Sequence, residues 1–408
     1  MLGGTSSLNY FYYVRGSPQD YNTWADVTED ESWSFGNVLQ YFMKSERMIT
    51  QSIIHSPTGK FHGTEGYLGV TKLDFAETFE YLDAFEEIGF NVLEDYNAYN
   101  TLGFSQGQVT IGDGIRQSTA NAFLTPIKER TNIFLLKNTM VTKININKDN
   151  TTDGVEVYDS ENRKMSFKCS REVIVSAGAI NSPQLLMLSG IGSEEHLQSL
   201  GVEVKANLPV GKNVQDHYPV IGFIRLEKLN KTAPPIIPTE YPIPTVNGFV
   251  AFDEDQDYPD YQVQTQTLDA DSAMVTCLSF SIHPDICQQF YNKFRGYRVM
   301  AFAHISFEAD GLGEILLRST DPGDHPVINL KPLQHIESNA ELEAIFLQDF
   351  TRIVNSTYFR NIGAELVALP KCEHLGLGSI EYWQCYMKCV YSTLYHTSGF
   401  MRHGISGR

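Results

Sequence analysis

A mixed α/β architecture in more than one structural unit is what these 408 residues specify. Short, β-branched, alternating segments between residues 132 and 168 call for strands. The apolar run "REVIVSAGAI" (171–180) reads as a strand buried on both faces. It passes through small residues into "NSPQLLMLSGIG", a strand–turn–helix junction of the nucleotide-fold kind, where strand ends face a ligand. The chain is also longer than one hydrophobic core usually serves.

Each element has its own local reason. "GNVLQYFMKSERM" (36–48) sets Val38, Leu39, Phe42 and Met43 at helical spacing, and "KLDFAETFEYLDAFEEIGF" (72–90) does the same until Gly89 stops it. "GIRQSTANAFLTPI" (114–127) predicts a short helix. "NIFLLKN", "MVTKININ", "GVEVYDS" and "KMSFKCS" form a meander, with Asp153-Gly154 and Asp159 to Asn162 marking turns. Ser182 is placed to cap, and Pro183 to start, the helix after the apolar run. From 218 to 335 strands dominate: "PVIGFIRLEKL", "DYQVQTQTL", "RVMAFAHISFEA" and "GEILLRS". The Pro-rich "APPIIPTEYPIPTV" (233–246) between the first two is a loop or crossing segment. "NAELEAIFLQDFTRIVNS" (339–356) is an amphipathic helix, and "SIEYWQCYMKCVYSTLYHTSGFMRHG" (379–404) starts helical and ends in a glycine turn.

The net charge is −18, which argues against a nucleic-acid partner, since phosphate binding needs clustered Lys and Arg. No run of eighteen apolar residues predicts a membrane span. Six cysteines in a chain of this length do not make a disulfide scaffold, and Trp383, Cys385 and Cys389 on one helix read as packing. Sequons at Asn150, Asn230 and Asn355 point to a secretory route, although no signal peptide is visible at "MLGGTSSLNY".

The sequence holds no HExxH, GxSxG, GxxxxGK[ST] or GxGxxG motif, and its eleven histidines show no metal-ligand spacing, so no metal is expected. From residue types alone the chain is an α/β protein with one nucleotide-fold junction. Two longer patterns say more. "GGTSSLNYFYYVRG" (3–16) carries Gly3, Gly4, Thr5, Ser6, Asn9, Tyr13 and Gly16, and "GAINSPQLLMLSGIG" (178–192) carries Gly178, Ser182, Pro183, Ser189, Gly190 and Gly192. Both resemble signatures of the glucose–methanol–choline (GMC) flavoprotein oxidoreductases. "FHGTEGYLGV" (61–70), "LPVGKNVQDH" (208–217), "GEILLRSTDPGDHPVINL" (313–330) and "YHTSGFMRHG" (395–404) extend the likeness along the chain. It is similar to the branch containing glucose dehydrogenases and ecdysteroid oxidases.

The resemblance implies an incomplete FAD-binding, Rossmann-like domain with a second, sheet-containing substrate domain. The flavin part would be 1–70 and 131–216, the substrate part 71–130 and 217–390, and 391–408 would carry the active-site His. It implies FAD as cofactor, with Gly3, Gly4, Thr5, Ser6, Asn9, Val141 and Gly178 against it. Glycine lets backbone approach a flat ring, and the hydroxyls and amide supply hydrogen bonds. An ordinary Gly-Ser loop and a plain strand valine are the plainer readings of the same residues. His396 would be the base that takes a hydroxyl proton while hydride passes to flavin N5. The activity implied is oxidation of a CH–OH group of a small alcohol, sugar or sterol, with an unassigned electron acceptor. His217, in "NVQDH", reads as a turn or capping residue, and His403 as exposed. Thr397, Ser398, Phe400 and His403 depart from the family's "YHPVGTCRMG" pattern, so a catalytically silent, secreted ligand-binding relative is the alternative. The family's first strand and GxGxxG helix would precede "MLGG", and its second catalytic His or Asn would follow Arg408. A partial sequence is therefore expected, with neighbouring strands left exposing their edges and apolar faces.

Overall fold

The computed structural model describes residues 1–229, 243–253, 255–307 and 313–399. The first part of the Pro-rich stretch, Asn230, Phe400, Arg402, His403 and Gly404 lie outside these residues.

A 3-10 turn over Gly4–Ser7 precedes helix α1 (Pro18–Thr28). Ser17 accepts from the Gln19 N–H while Asp20 accepts from the Ser17 N–H, satisfying two donors at the helix start. Next come α2 (Phe35–Ser45), β1 (Glu46–Met48), β2 (Leu68–Lys72), α3 (Ala76–Glu87), β3 (Gly103–Gln106) and β4 (Gln108–Val109). Strand β2 pairs parallel with β1 and antiparallel with β4. The expected meander is present as β5 (Met140–Ile146), β6 (Thr152–Tyr158) and β7 (Lys164–Lys168), all antiparallel. Its first turn lies at residues 147–151, where the Asn147 side chain accepts from the Asp149 and Thr151 N–H groups. Asp153 and Gly154 therefore lie inside β6 rather than in a turn.

Helix α4 (Gly178–Leu188) begins five residues ahead of Pro183, which lies inside it. Ser182 still serves the helix start, accepting from the Ala177 N–H at 3.1 Å. The segments 132–138 and 171–177, expected as strands, pair with no strand among the described residues. Phe134 is 87% exposed and Ile174 79%. A doubly buried strand exists only through its neighbours, and none of the described strands runs beside these two. Phe134, Leu135, Leu136 and Ile174 are left facing solvent.

The larger unit contains β8 (Pro219–Lys228), β9 (Thr245–Val250), β10 (Tyr261–Asp269), α5 (Ala270–Ser279), α6 (Pro284–Phe294) and β11 (Tyr297–Ser306). A small hairpin of β12 (Glu314–Leu316) and β13 (Val327–Asn329), helix α7 (Pro332–Thr351), strand β14 (Glu365–Leu366) and helix α8 (Ile380–Val390) complete it. Six strands form one antiparallel sheet in the order β14-β8-β11-β10-β9-β3. One face packs on α3 and α7 through rings such as Phe85 on Phe104 (4.0 Å between centroids) and Phe302 on Phe350 (5.0 Å). On the β8 side of the opposite face, Phe223 meets Phe290 and Phe294 of α6. One hydrophobic core spans residues 81–104, 220–303 and 344–390, and a second joins Met187, Leu197, Val210 and Val214 to Ile315 and Leu317 of the hairpin.

A buried ionic network fixes the N-terminal segment. Arg15 donates to Glu46 (2.7 Å) and to the carbonyls of Phe61 (2.8 Å) and Asn97 (3.0 Å). His62 bridges Glu46 (3.1 Å) and Asp95 (2.9 Å), and its side chain and those of both carboxylates are fully buried. Burial alone would lower the His62 pKa, but the hydrogen bonds to Asp95 and Glu46 outweigh it and raise the value.

Candidate active site

The first signature folds as a tight turn. Gly4 sits at φ +52°, and a Cβ built there meets nothing within 4 Å, so its backbone is open on one side. Thr5 is exposed beside it, while Ser6 turns inward, donating to the Gly3 carbonyl and accepting from the Thr119 N–H (2.9 Å). The Asn9 carboxamide oxygen accepts from the Phe11 N–H (3.2 Å) and from Arg116 (2.7 Å). Ser6 and the Asn9 oxygen thus brace the turn against residues 116–119, and Gly4 and Thr5 face outward.

His396 is held from below. The buried Asp216 carboxylate accepts from the His396 N–H (2.9 Å) and from the hydroxyls of Thr393 and Thr397. Gln215 and Ser398 exchange backbone hydrogen bonds at 3.0 and 2.8 Å, and the Leu394 N–H bonds to the His217 carbonyl at 3.0 Å. Gly399 closes the segment at φ +79°, where a Cβ would stand 2.2 Å from the Asn213 carbonyl oxygen, so only glycine fits. The imidazole of His396 is exposed on its outer side. The protein around it displaces water and lowers its pKa, with Asp216 pulling the opposite way.

His217 is not a turn or capping residue. Its Nδ1 stands 3.0 Å from Nδ1 of His396, and its ring lies against Phe307 with centroids 5.5 Å apart. Burial, with a contribution from His396, brings its pKa down to about 4. Sequence reading missed the pairing because 179 residues separate the two rings. The signal available was an Asp-His dipeptide in one matched motif and a lone His in another.

The signature and the His396 segment meet at Ser279, at the end of α5. Tyr10 Oη lies 3.0 Å from Ser279 Oγ, and Tyr395 donates to the Ser279 carbonyl at 3.3 Å. Between them opens a small cleft, open to solvent. Tyr10 and Tyr12 of the signature, Thr276 and Phe280 of α5, and Leu394 line it, with Gln264, Gln266, Ala301 and Ala303 of the sheet. Gln264 lies opposite Ala303, and Ala303 opposite Ile221, so one sheet face forms the wall. The Gln264 side-chain amide has no hydrogen-bond partner among the described residues, although it is half-buried.

Val141 and Gly178 lie elsewhere. Val141 is 42% exposed on β5, and Gly178 opens α4 at φ +88° with nothing within 4 Å of a built Cβ. Strand β5 is tied to α4 through the Ile144 N–H, which donates to Ser189 Oγ at 2.9 Å. No hydrogen bond among the described residues joins Val141 or Gly178 to the Gly3–Asn9 turn.

Four of the six cysteines are paired. Cys277–Cys287 links α5 to α6, and Cys372–Cys385 ties α8 to the preceding segment, so Cys385 is a cross-link and not only packing. The first of these bridges secures the helix that carries Thr276 to the cleft. Among the described residues no helix is long and apolar enough to cross a membrane.

Residues 1–219 match the family described as GMC oxidoreductase. The chain is 30% identical over 421 residues to ecdysone oxidase of Bombyx mori, an alignment covering 98% of this chain and 62% of that protein. It is 31% identical over 421 residues to the glucose dehydrogenase (FAD, quinone) of Drosophila melanogaster, covering 100% of this chain and 65% of the relative. The chain therefore spans somewhat under two thirds of the length of these relatives. Pyridoxine 4-oxidase from Mesorbium loti shares the fold, with a TM-score of 0.80 at 21% identity over 98% of this chain and 73% of that one. Formate oxidase from Aspergillus oryzae does so at 0.79 and 20% over 99% and 74%. The family match takes in more than half of the chain and both glycine-bearing signatures, and the protein belongs to the GMC oxidoreductases.

Proposed function

We propose that this chain contributes the substrate pocket and the proton-accepting histidine of an FAD-dependent oxidoreductase acting on a CH–OH group of a small alcohol, sugar or sterol. The observation that carries this reading is His396, stapled by Asp216 two residues from Leu394, which lines a cleft whose sheet wall presents the Gln264 amide.

The residues fit the ring end of a flavin. Gly4 and Gly178 offer backbone at left-handed φ with open space where a side chain would stand, and Thr5 adds an exposed hydroxyl. Thr5, Gly4 and the backbone of Gly3 would hold the ring, with the Asn9 amide nitrogen beside them. Val141 and Gly178 would meet the nucleotide portion from the meander and α4. When bound, a flavin supplies the hydride acceptor that no amino-acid side chain provides. The chain's own part is to bind the hydroxyl-bearing carbon in the cleft, to hold its hydroxyl toward His396, and to receive the hydroxyl proton on that imidazole. A neutral imidazole at working pH suits this, and the depressed pKa of His396 keeps it neutral.

The two hydrophobic cores support separating 217–390 with 81–104 of the proposed substrate part (71–130 with 217–390) from 187–214 of the proposed flavin part (1–70 with 131–216). Residues 1–70 belong to neither core and are tied to residues 95–109 by the Arg15–Glu46–His62–Asp95 network and the β2–β4 pairing. The β12–β13 hairpin is an exception in that it packs with the flavin part through Ile315 and Leu317. Residues 391–399 join the two as the His396 segment. The two disulfides and the exposed Asn150 and Asn355 support an oxidising, secretory location.

The test is dye-coupled oxidation of a panel of alcohols, sugars and sterols by the FAD-loaded protein, with His396→Ala alongside. Loss of about 10²–10⁴-fold in rate with an unchanged flavin spectrum is expected. A variant as active as the parent, or a protein that takes up no flavin, overturns the reading.

A further inference from the structure

We propose that His217 is a positioning residue for His396, accepting the proton on His396 Nδ1 so that Nε2 of His396 is left bare to take a hydroxyl proton. The inference deepens the function proposed above and rests on it for the identity of the proton donor. The geometry itself stands apart from any flavin.

Two imidazole nitrogens 3.0 Å apart share one proton between them. If His217 donates, His396 Nδ1 is the acceptor, its neutral ring must carry hydrogen on Nε2, and that atom has no lone pair for a base. If His396 donates, Nε2 is free. When the pair gains a proton, the two rings differ in how well they bear it. His217 is half-buried against Phe307 and has no carboxylate bonded to its ring among the described residues. His396 lies open on its outer side, and its own backbone N–H is hydrogen-bonded to Asp216. The charge therefore settles on His396, whose Nδ1–H then points at the neutral His217 Nδ1.

The depressed pKa of His217 agrees, since it stays an acceptor through the neutral range. The other titratable groups around the pair do not change this. Asp216 comes from the same 213–218 segment and favours charge on His396, and Tyr395 turns its hydroxyl to the Ser279 carbonyl. Phe307, following β11, is uncharged.

In the proton step, the O–H bond of the bound alcohol breaks with its electron pair remaining on oxygen, and an N–H bond forms at His396 Nε2. The positive charge is then stabilised by the Nδ1–H···Nδ1 hydrogen bond to His217. A neutral histidine does here what a carboxylate often does behind a catalytic imidazole: it fixes tautomer and ring orientation.

The experiment is a pH titration of the full chain carrying ¹⁵N-labelled histidine, read by long-range ¹H–¹⁵N correlation, for the parent, His217→Asn and His217→Leu. In the parent, His396 is expected to hold its neutral proton on Nδ1. His217→Asn, which keeps an acceptor oxygen, should retain that tautomer. His217→Leu should move the proton to Nε2 and lower the His396 pKa by roughly one pH unit, a tenfold loss of proton affinity. A parent spectrum with the proton on Nε2 overturns the proposal, and so does a folded His217→Leu with tautomer and pKa unchanged. If His217→Leu does not fold, the parent tautomer and the Asn variant decide between the two outcomes. The readout needs no turnover. A negative result alongside a rate loss in His396→Ala removes only the role of His217, and the converse removes only the oxidoreductase reading.

Discussion

Glu46→Gln probes the network that seats the first signature. The Glu46 carboxylate is fully buried and accepts from Arg15 (2.7 Å), His62 (3.1 Å) and the Gly63 N–H (3.0 Å). Glutamine keeps one acceptor oxygen but turns an NH₂ donor toward groups that are themselves donors. The Arg15 guanidinium, 1% exposed at its side chain, then has no counter-charge there. Breaking a buried pair from one side costs about 3–5 kcal/mol. Against a total stability of about 5–15 kcal/mol for a folded domain, that is a third or more. Urea unfolding followed by tryptophan fluorescence measures it as a lower midpoint with an unchanged slope. The pH dependence has a definite sign. The folded pKa of His62 is raised, so its contribution is complete below the unfolded value of 6.5 and is lost as pH rises through the folded value. Asp95 goes the other way. Burial pushes its pKa up, but its hydrogen bonds, led by that from His62, bring it below 3.8; its contribution is present above 3.8 and is lost as pH falls through the folded value. The gap between parent and variant should therefore narrow toward alkaline pH. A loss below about 1 kcal/mol at mildly acidic pH would show that relaxation or water entry has replaced the carboxylate, and would refute the reasoning.

Three further perturbations address the site. Gly399→Ala forces a Cβ to within 2.2 Å of the Asn213 carbonyl at φ +79°, and strain of about 1–3 kcal/mol should appear as faster amide exchange over 213–218 and 393–398. Replacing both Cys372 and Cys385 by serine opens a bridge across 13 residues and should lower stability by about 3 kcal/mol; an unchanged melting curve would mean the reduced chain is already constrained. Gln264→Leu should leave folding intact, since its amide has no partner among the described residues, while lowering kcat/KM for a hydroxylated substrate about tenfold. An unchanged kcat/KM across the panel would take Gln264 out of the pocket's recognition surface.

Where structure depends on local pattern, the sequence was readable. The last three strands of the meander, α3, α8 and the strands β8, β10 and β11 follow period-2 or helical spacing and lie where that spacing puts them, while α7 runs from Pro332 to Thr351 where the pattern predicts 339–356. The failures are non-local. "NIFLLKN" and "REVIVSAGAI" have the composition of buried strands, but a strand needs a neighbour, and composition does not supply one. The bridges Cys277–Cys287 and Cys372–Cys385 depend on which helix ends the fold brings within 5.8 Å, which spacing alone does not fix. His217 looked structural because the motif around it is a turn, and its partner arrives from a segment 179 residues away. Asp216, one residue earlier, carries the clearer clue. A buried carboxylate must find donors, and the backbone and hydroxyls of the His396 segment are what it finds.

The alternation in "DYQVQTQTL" shows how one strand serves both the core and the cleft. Tyr261 packs on Phe346 of α7 with centroids 5.1 Å apart, and Thr267 donates to the Tyr81 hydroxyl of α3 at 3.1 Å, so the odd positions bind the sheet to its helices. The even positions carry glutamines on the opposite face. Gln262 is satisfied by Asn247 at 2.8 Å, and Gln264 and Gln266 reach the cleft wall. Because successive side chains point to opposite faces, a change at 264 or 266 alters the wall without opening a void beneath α3 or α7, whereas a change at 261 or 267 does the reverse. The half-buried Gln264 amide is a poor choice for stability alone, since a buried polar group without a partner costs about 1–3 kcal/mol. The presence of Gln264 opposite Tyr10 and Tyr12 makes sense if a hydroxyl-bearing ligand completes its hydrogen bonds, and it locates substrate choice in the sheet while the proton chemistry stays with His396.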